Sequence, residues 1–188
     1  MLKAVVCSFV LGCSGLVTSS AAAQEVVHAL TGTVSSINSA SKTITVFQDS
    51  GTQGEFSDAT TARPHLAIEK KIALDTTAAD AFKKTGAYVV VLYYGDDTSR
   101  TAVALKNLGA GPFSSATGTV LKFEGKHSIS IEDSSGATQT FKITSETIGE
   151  GYLGAVDGNK FQVSKGDKVR VVASAESGSP TAVFIRLM

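Results

Sequence analysis

The chain has 188 residues, and its 17 lysine and arginine residues balance 17 aspartate and glutamate residues. Electrostatic capture of nucleic acid needs clustered basic residues, so this balance argues against a nucleic-acid partner. The chain has two cysteines, Cys7 and Cys13, and both lie close to its beginning.

The first 23 residues have the layout of a secretory signal peptide. Lys3 gives a positive start, residues 4–17 are apolar but too few to span a bilayer, and Ala23 ends a small-residue cleavage site. Lipidation at Cys13 is the less favoured alternative, because Leu11 is bulky for its place in a lipoprotein box. We expect a periplasmic or extracellular product with no later transmembrane segment. Without cysteines it would have no disulfide, thiolate nucleophile or cysteine-ligated zinc.

The first unit is predicted to begin with three strands. Residues 31–37 form the first, residues 42–47 alternate in polarity as the second, and residues 54–58 return around Phe56 as the third. Residues 38–41 and 49–51 are rich in turn formers, so the three strands should form a meander. Residues 64–74 fit either a strand or a helix.

A short helix is predicted from Ala78 to Thr85. Thr77 can cap its first N–H groups, two lysines fall in its last turn, and Gly86 can adopt the left-handed conformation that ends a helix. Because so short a helix is marginal alone, we expect Phe82 to dock it onto the sheet. Strands over 87–94 and 101–105 then complete the first unit.

The second half of the chain repeats landmarks of the first half in the same order. Thr117-Gly118-Thr119-Val120 repeats Thr31-Gly32-Thr33-Val34, and three further segments have counterparts. Residues 128–131 match 43–46, residues 166–171 match 86–91, and residues 181–183 match 101–103. We interpret these matches as a duplication. Between the matched segments, Asp157-Gly158 predicts a hairpin rather than a helix.

Three antiparallel strands, an excursion and two further strands follow the order of the OB-fold. The sequence therefore predicts an all-β protein of two tandem five-stranded OB-like Greek-key barrels, with a short helical insert between strands 3 and 4 of the first. Small sandwiches and SH3-like barrels remain alternatives. The predicted organisation is a signal peptide over 1–23, a first barrel over 24–109, a linker over 110–116 and a second barrel over 117–188.

These motifs resemble small secreted bacterial β-barrel domains of uncharacterised function. The resemblance rests on Gly118-Thr119-Val120, Ser135-Gly136, residues 166–171 and residues 181–185, and it is tighter in the second copy. The first copy departs from it, with Gly86-Ala87-Tyr88 where the pattern has Gly-Asp-x. The resemblance implies an OB-like barrel and an exported location, and it carries no catalytic residues.

The sequence contains no recognisable catalytic or metal motif. His28, His65 and His127 stand in no ligand spacing, and neither Asp96-Asp97 nor Asp157-Gly158-Asn159 supplies the ligands of a calcium loop. The G-x-S-x-G elbow of serine hydrolases does not occur. We therefore predict a non-enzymatic protein without a cofactor or a metal site.

The two copies differ on the outer face of their fourth strand. The second copy places Lys168 and Arg170 there, whereas the first places apolar and aromatic residues, and Phe47 stands where the second copy has Glu132. An uncovered patch of this kind is an interaction site or a liability. The insert helix, the second domain, or a partner or ligand could cover it. The candidate binding residues are Phe47, Tyr88, Leu92 and Tyr94.

Because tyrosines stack on sugars and OB barrels often bind oligosaccharides, the sequence favours a binding module of the cell envelope or periplasm with a saccharide or protein ligand. The alternative is a structural or assembly protein that self-associates through the apolar face of its first domain. The oligomeric state, which the sequence leaves open, would separate the two.

Overall fold

The computed structural model describes residues 26–38, 40–41, 43–50, 53–58, 85–96, 99–109, 111–175 and 179–188. Every regular element in these ranges is a β-strand. The first half contains β1 (His28–Asn38), β2 (Thr43–Gln48), β3 (Gln53–Asp58), β4 (Tyr88–Asp96) and β5 (Ser99–Gly109). The second half contains β6 (Phe113–Phe123), β7 (Ser128–Glu132), β8 (Thr138–Lys142), β9 (Ile148–Gly151), β10 (Gly154–Asp157), β11 (Lys168–Ser174) and β12 (Thr181–Leu187).

The first five strands close into a barrel in the order β1-β2-β3-β5-β4. All neighbours are antiparallel except β3 and β5, which run parallel and close the ring. Alternate apolar residues point inward, as the predicted period of two requires. Among the side chains that the structure describes, the buried core of this barrel contains Leu30, Val34, Ile44, Val46, Val89, Val91, Ala102 and Leu105.

The same ring recurs in the second half, which confirms the all-β prediction and its duplicated strand order. The ring is β6-β7-β8-β12-β11, and a parallel pairing of Lys142 with Thr181 closes it. The prediction of five strands was incomplete here, because β9 and β10 extend the second sheet to seven strands. The extra hairpin turns at Tyr152-Leu153, not at the predicted Asp157-Gly158, which instead ends β10.

The repeated Thr-Gly-Thr motif marks the place where the first strand of each ring crosses the end of the second. A Cβ atom on Gly32 would lie 2.4 Å from the carbonyl oxygen of Phe47, and one on Gly118 would lie 2.4 Å from that of Glu132. Only glycine permits so close an approach of two backbones. The repeated glycine is therefore a requirement of barrel closure in both copies.

Two further features recur at matched positions. The register between the first two strands shifts between Val34 and Ser36 in the first barrel, and between Val120 and Lys122 in the second. Gly86 N–H donates to the Val34 carbonyl at 2.8 Å, and Gly166 N–H donates to the Val120 carbonyl at 2.9 Å. Both glycines have positive φ, 78° and 97°. Shared bulges and turns at this level of detail support a duplication.

Several predicted segments differ from the structure or lie outside it. Strand β6 begins at Phe113, inside the predicted linker 110–116. The signal peptide and residues 78–84 of the predicted helix lie outside the described residues, and Thr85 stands in a turn. Among the residues that are described, no helix is long and apolar enough to cross a bilayer.

Candidate functional site

The second barrel covers the outer apolar face of the first. Val90, Leu92 and Ala104 of the first barrel share one buried cluster with residues of the second. That cluster also contains Val27, Ala29, Ile148, Val172 and Phe184. Of the three covers that the sequence left open for this face, docking of the second domain is the one that the described residues show.

This docking divides the four predicted binding residues. Leu92 is 0% exposed and Tyr94 is 6% exposed, so both are packing residues in this structure. Phe47 remains 48% exposed, and Tyr88 is half-buried. The candidate site therefore keeps Phe47 and Tyr88 and loses Leu92 and Tyr94.

Phe47 and Tyr88 line a cleft of about 550 Å³ between the two barrels. The rings of Tyr88 and Phe113 meet there with centroids 5.1 Å apart and planes tilted by 35°. Ligand pockets commonly enclose about 300–1,000 Å³, so the cleft has room for a small molecule. The first barrel contributes Thr33, Phe47, Gln48, Asp49 and Tyr88, and the second contributes Phe113, Ser114 and Ser115.

Strand register explains why Phe47 and Tyr88 share this face. Thr33 on β1 pairs directly with Phe47 on β2 and with Tyr88 on β4. Residues directly opposite each other in antiparallel strands project to the same side of the sheet. Tyr88, Thr33 and Phe47 therefore form one row across three strands, on the face opposite the barrel core.

A polar network fixes the inner end of the cleft. Tyr88 Oη donates to Asp49 Oδ2 at 2.6 Å, and Thr31 Oγ1 donates to the same oxygen. Burial, and then the adjacent Asp49 carboxylate, raise the pKa of Tyr88 well above its usual value. Tyr88 therefore stays a neutral hydroxyl whose proton is held by Asp49.

The second barrel reaches into this network through Arg170. Its Nη2 donates to Thr31 Oγ1 at 3.0 Å and lies 3.9 Å from Asp49 Oδ2. The sequence placed Arg170 on an exposed face, yet its side chain is only 14% exposed. The sequence did not distinguish Arg170 from Lys168. Both lie on the outer face of β11, and the docking of the two barrels decides which of them reaches the interface.

Glu150 on the extra hairpin makes a second polar contact between the barrels. Its Oε2 accepts the backbone N–H of Ala29 at 2.8 Å, and its Oε1 lies 2.8 Å from His28 Nδ1. A carboxylate can only accept, so Nδ1 donates in this pair. Glu150 is 7% exposed, and burial raises its pKa despite these hydrogen bonds. The β9–β10 hairpin, whose turn the sequence predicted at Asp157-Gly158, thus holds β1 in place.

We expect Glu150→Ala to destabilise the protein more than Glu150→Gln does. Alanine leaves the buried Ala29 N–H without an acceptor, at a cost of about 1–3 kcal/mol in the free energy of unfolding. Glutamine keeps a carbonyl oxygen for that N–H. Urea denaturation followed by circular dichroism measures both variants. Equal stability of the two variants would contradict this role of Glu150.

The stability contribution of Glu150 should depend on pH. Burial raises the folded-state pKa of Glu150 above its ordinary value of 4.5, so the native state binds the proton of this carboxyl more tightly than the unfolded chain does. The free energy of unfolding of the wild type, relative to Glu150→Gln, should therefore fall as pH rises through the raised pKa. Glu124→Gln is the control of opposite sign, because Lys122 and Ser128 lower the pKa of Glu124. Unfolding curves from pH 4 to pH 8 measure these differences. A free energy of unfolding that rises with pH in the wild type, relative to Glu150→Gln, would contradict the prediction.

The comparisons with known proteins name no family for this chain. No protein-family model and no curated protein matches it. A solved structure of a cold-shock-domain fragment, drosophila Unr CSD456, matches at 17% identity with a TM-score of 0.28. The match covers 85% of this chain and 61% of that one, so the chain spans less than two thirds of its length. At this TM-score the match carries no argument about function.

Proposed function

We propose that this chain is an exported, non-enzymatic binding module of the cell envelope or periplasm that holds a saccharide in the cleft between its barrels. The observation that carries the proposal is the meeting of aromatic rings from both barrels, Tyr88 with Phe113, beside the exposed ring of Phe47. The C–H faces of a sugar pack on aromatic rings, whose apolar faces supply contact area at fixed geometry.

The polar lining suits the hydroxyl groups of a sugar. Thr33, Gln48, Ser114 and Ser115 offer hydroxyl and amide groups around the aromatic wall. A few polar groups in a mainly apolar pocket are what orients a ligand. Among the described residues, the cleft lining includes the Asp49 carboxylate and no lysine or arginine. A neutral saccharide therefore fits better than an acidic one, which would bring a second negative charge beside Asp49.

Self-association through the apolar face of the first domain is the second candidate. It has less support, because Val90 and Leu92 at the centre of that face are fully buried against the second barrel. Phe47 is the part of the face that stays well exposed. Light scattering on residues 24–188 separates the candidates: binding of a saccharide by a monomer supports the cleft, and a stable oligomer without ligand supports assembly.

We expect Phe47→Ala to weaken saccharide binding about tenfold, because removal of one stacking ring costs about 1–3 kcal/mol. An array of neutral and acidic oligosaccharides identifies a ligand, and isothermal titration of wild type and variant measures its dissociation constant. Tyr152→Ala is the matched control, since Tyr152 is an aromatic residue 85% exposed on the extra hairpin and outside the cleft. The cleft proposal fails if no saccharide binds, or if Phe47→Ala binds as tightly as Tyr152→Ala.

A further inference from the structure

The row Tyr88–Thr33–Phe47 of the first barrel has a counterpart in the second barrel. In that counterpart one positively and one negatively charged residue stand in place of the two aromatic residues. Thr119 on β6 pairs directly with Glu132 on β7 and with Lys168 on β11. The row Lys168–Thr119–Glu132 thus occupies the position that the row Tyr88–Thr33–Phe47 occupies in the first barrel. The two copies share the central threonine, and the second has charged residues where the first has aromatic residues.

A second cavity lies over this charged row. It encloses about 280 Å³, and the described residues that line it all belong to the second barrel: Thr117, Gly118, Thr119, Glu132, Asp133, Ser134 and Lys168. The cleft of the first barrel is completed by β6 of its neighbour, whereas this cavity is built within one barrel. Its floor is the Thr-Gly-Thr motif, so it sits where the backbones of β6 and β7 cross.

The two ions of the row are available to a ligand. Lys168 and Glu132 are both exposed, and neither side chain has a hydrogen bond or an ion pair within the described residues. Elsewhere on the same barrel Lys122 and Glu124 do pair, at 2.5 Å. Asp133 is engaged differently: its Oδ1 accepts the backbone N–H groups of Ser135 and Ala137, which holds the β7–β8 turn.

The distance between Lys168 and Glu132 determines which ligand can contact both side chains. Directly opposite residues have Cβ atoms about 4.5–5.5 Å apart, so Lys168 and Glu132 stand roughly 10 Å apart across Thr119. A ligand that satisfies both must carry an anion at one end and a cation at the other. A peptide of two or three extended residues spans about 7–10 Å and carries both charges on its termini.

We propose that the second barrel binds a short peptide with free termini in this cavity. The peptide carboxylate lies against the Lys168 ammonium, and its N-terminal ammonium lies against the Glu132 carboxylate. The hydroxyl groups of Thr117 and Thr119 face the peptide backbone. This site is separate from the saccharide cleft, so either one can fail without the other.

Titration of residues 24–188 with trialanine tests the proposal. We expect trialanine to shift the backbone amide resonances of Gly118 and Thr119 in ¹H–¹⁵N spectra. N-acetyl-trialanine, which lacks the cation, and trialanine amide, which lacks the anion, should each bind about three- to fivefold more weakly, as loss of one exposed ion pair implies. Added salt should weaken binding of trialanine as well.

Two variants and their controls locate the site. Lys168→Met and Glu132→Gln should each weaken trialanine binding about three- to fivefold, whereas Lys122→Met and Glu124→Gln, outside the cavity on the same barrel, should leave it unchanged. The proposal is overturned if trialanine does not shift Gly118 and Thr119. It is equally overturned if the blocked peptides bind as well as trialanine, or if the cavity variants bind like their controls. The dispersion of the spectra verifies folding of each variant.

Discussion

Replacement of Phe184 by alanine should lower the free energy of unfolding by about 3–5 kcal/mol, the usual cost of removing a buried phenylalanine side chain. Phe184 lies on β12, is 0% exposed, and belongs to the cluster that joins the second barrel to Val90 and Leu92 of the first. The loss would therefore fall on the contact between barrels rather than within one core. Urea denaturation followed by far-ultraviolet circular dichroism measures it.

The control for this variant is Tyr152→Ala. Its ring is 85% exposed, so its truncation should change the free energy of unfolding by about 0.5 kcal/mol or less. If Phe184→Ala proves as mild as Tyr152→Ala, the side chain is not buried between the barrels and the interface described above is wrong.

Replacement of both Gly32 and Gly118 by alanine should lower the free energy of unfolding by about 2–6 kcal/mol. Each new Cβ would lie 2.4 Å from a backbone carbonyl oxygen, which a flexible side chain cannot relieve by moving. Overpacking of this kind costs about 1–3 kcal/mol per site, and distant sites add. Thermal and urea denaturation of the two single variants and the double variant measure the costs.

Gly151→Ala is the matched control for the two glycines. At Gly151 the nearest heavy atom to an added Cβ would be Phe161 Cε2 at 3.9 Å, an ordinary contact. We expect little loss of stability there, or a slight gain from reduced freedom of the unfolded chain. Equal losses in the free energy of unfolding for Gly32→Ala and Gly118→Ala would support the same structural role for the two glycines. A neutral result at one of them would show that the two motifs do not play the same structural part.

The strand order could be predicted from the sequence because each strand and turn has a pattern within its own few residues. Alternation of apolar residues defined β2, β4, β7 and β11, and turn residues separated them. Repetition added a second, independent signal, since Gly86 and Gly166 occupy matched turns with positive φ. The same comparison identified Phe47 against Glu132 and Tyr88 against Lys168, which the pairing register places in equivalent rows.

Contacts between the barrels could not be predicted in this way. Val172 and Phe184 lie on the outer face of their own barrel, and nothing in their neighbours indicates which surface they will meet. For the same reason Leu92 and Tyr94 looked accessible, although the structure buries them. The turn of the β9–β10 hairpin was predicted at the wrong place because Tyr152-Leu153 has no residue typical of a tight turn, whereas Asp157-Gly158 carries a strong turn signal and forms the turn that follows β10.

The cleft exists only if the first and second barrels dock as described, and one nuclear Overhauser experiment tests that directly. Tyr88 on β4 and Phe113 on β6 belong to different barrels, and their ring centroids lie 5.1 Å apart. In a protein with isotopically labelled aromatic rings, we expect cross-peaks between the ring protons of Tyr88 and Phe113. Spectra that show both rings but no cross-peak between them would contradict the docked arrangement and remove the cleft on which the proposed function rests.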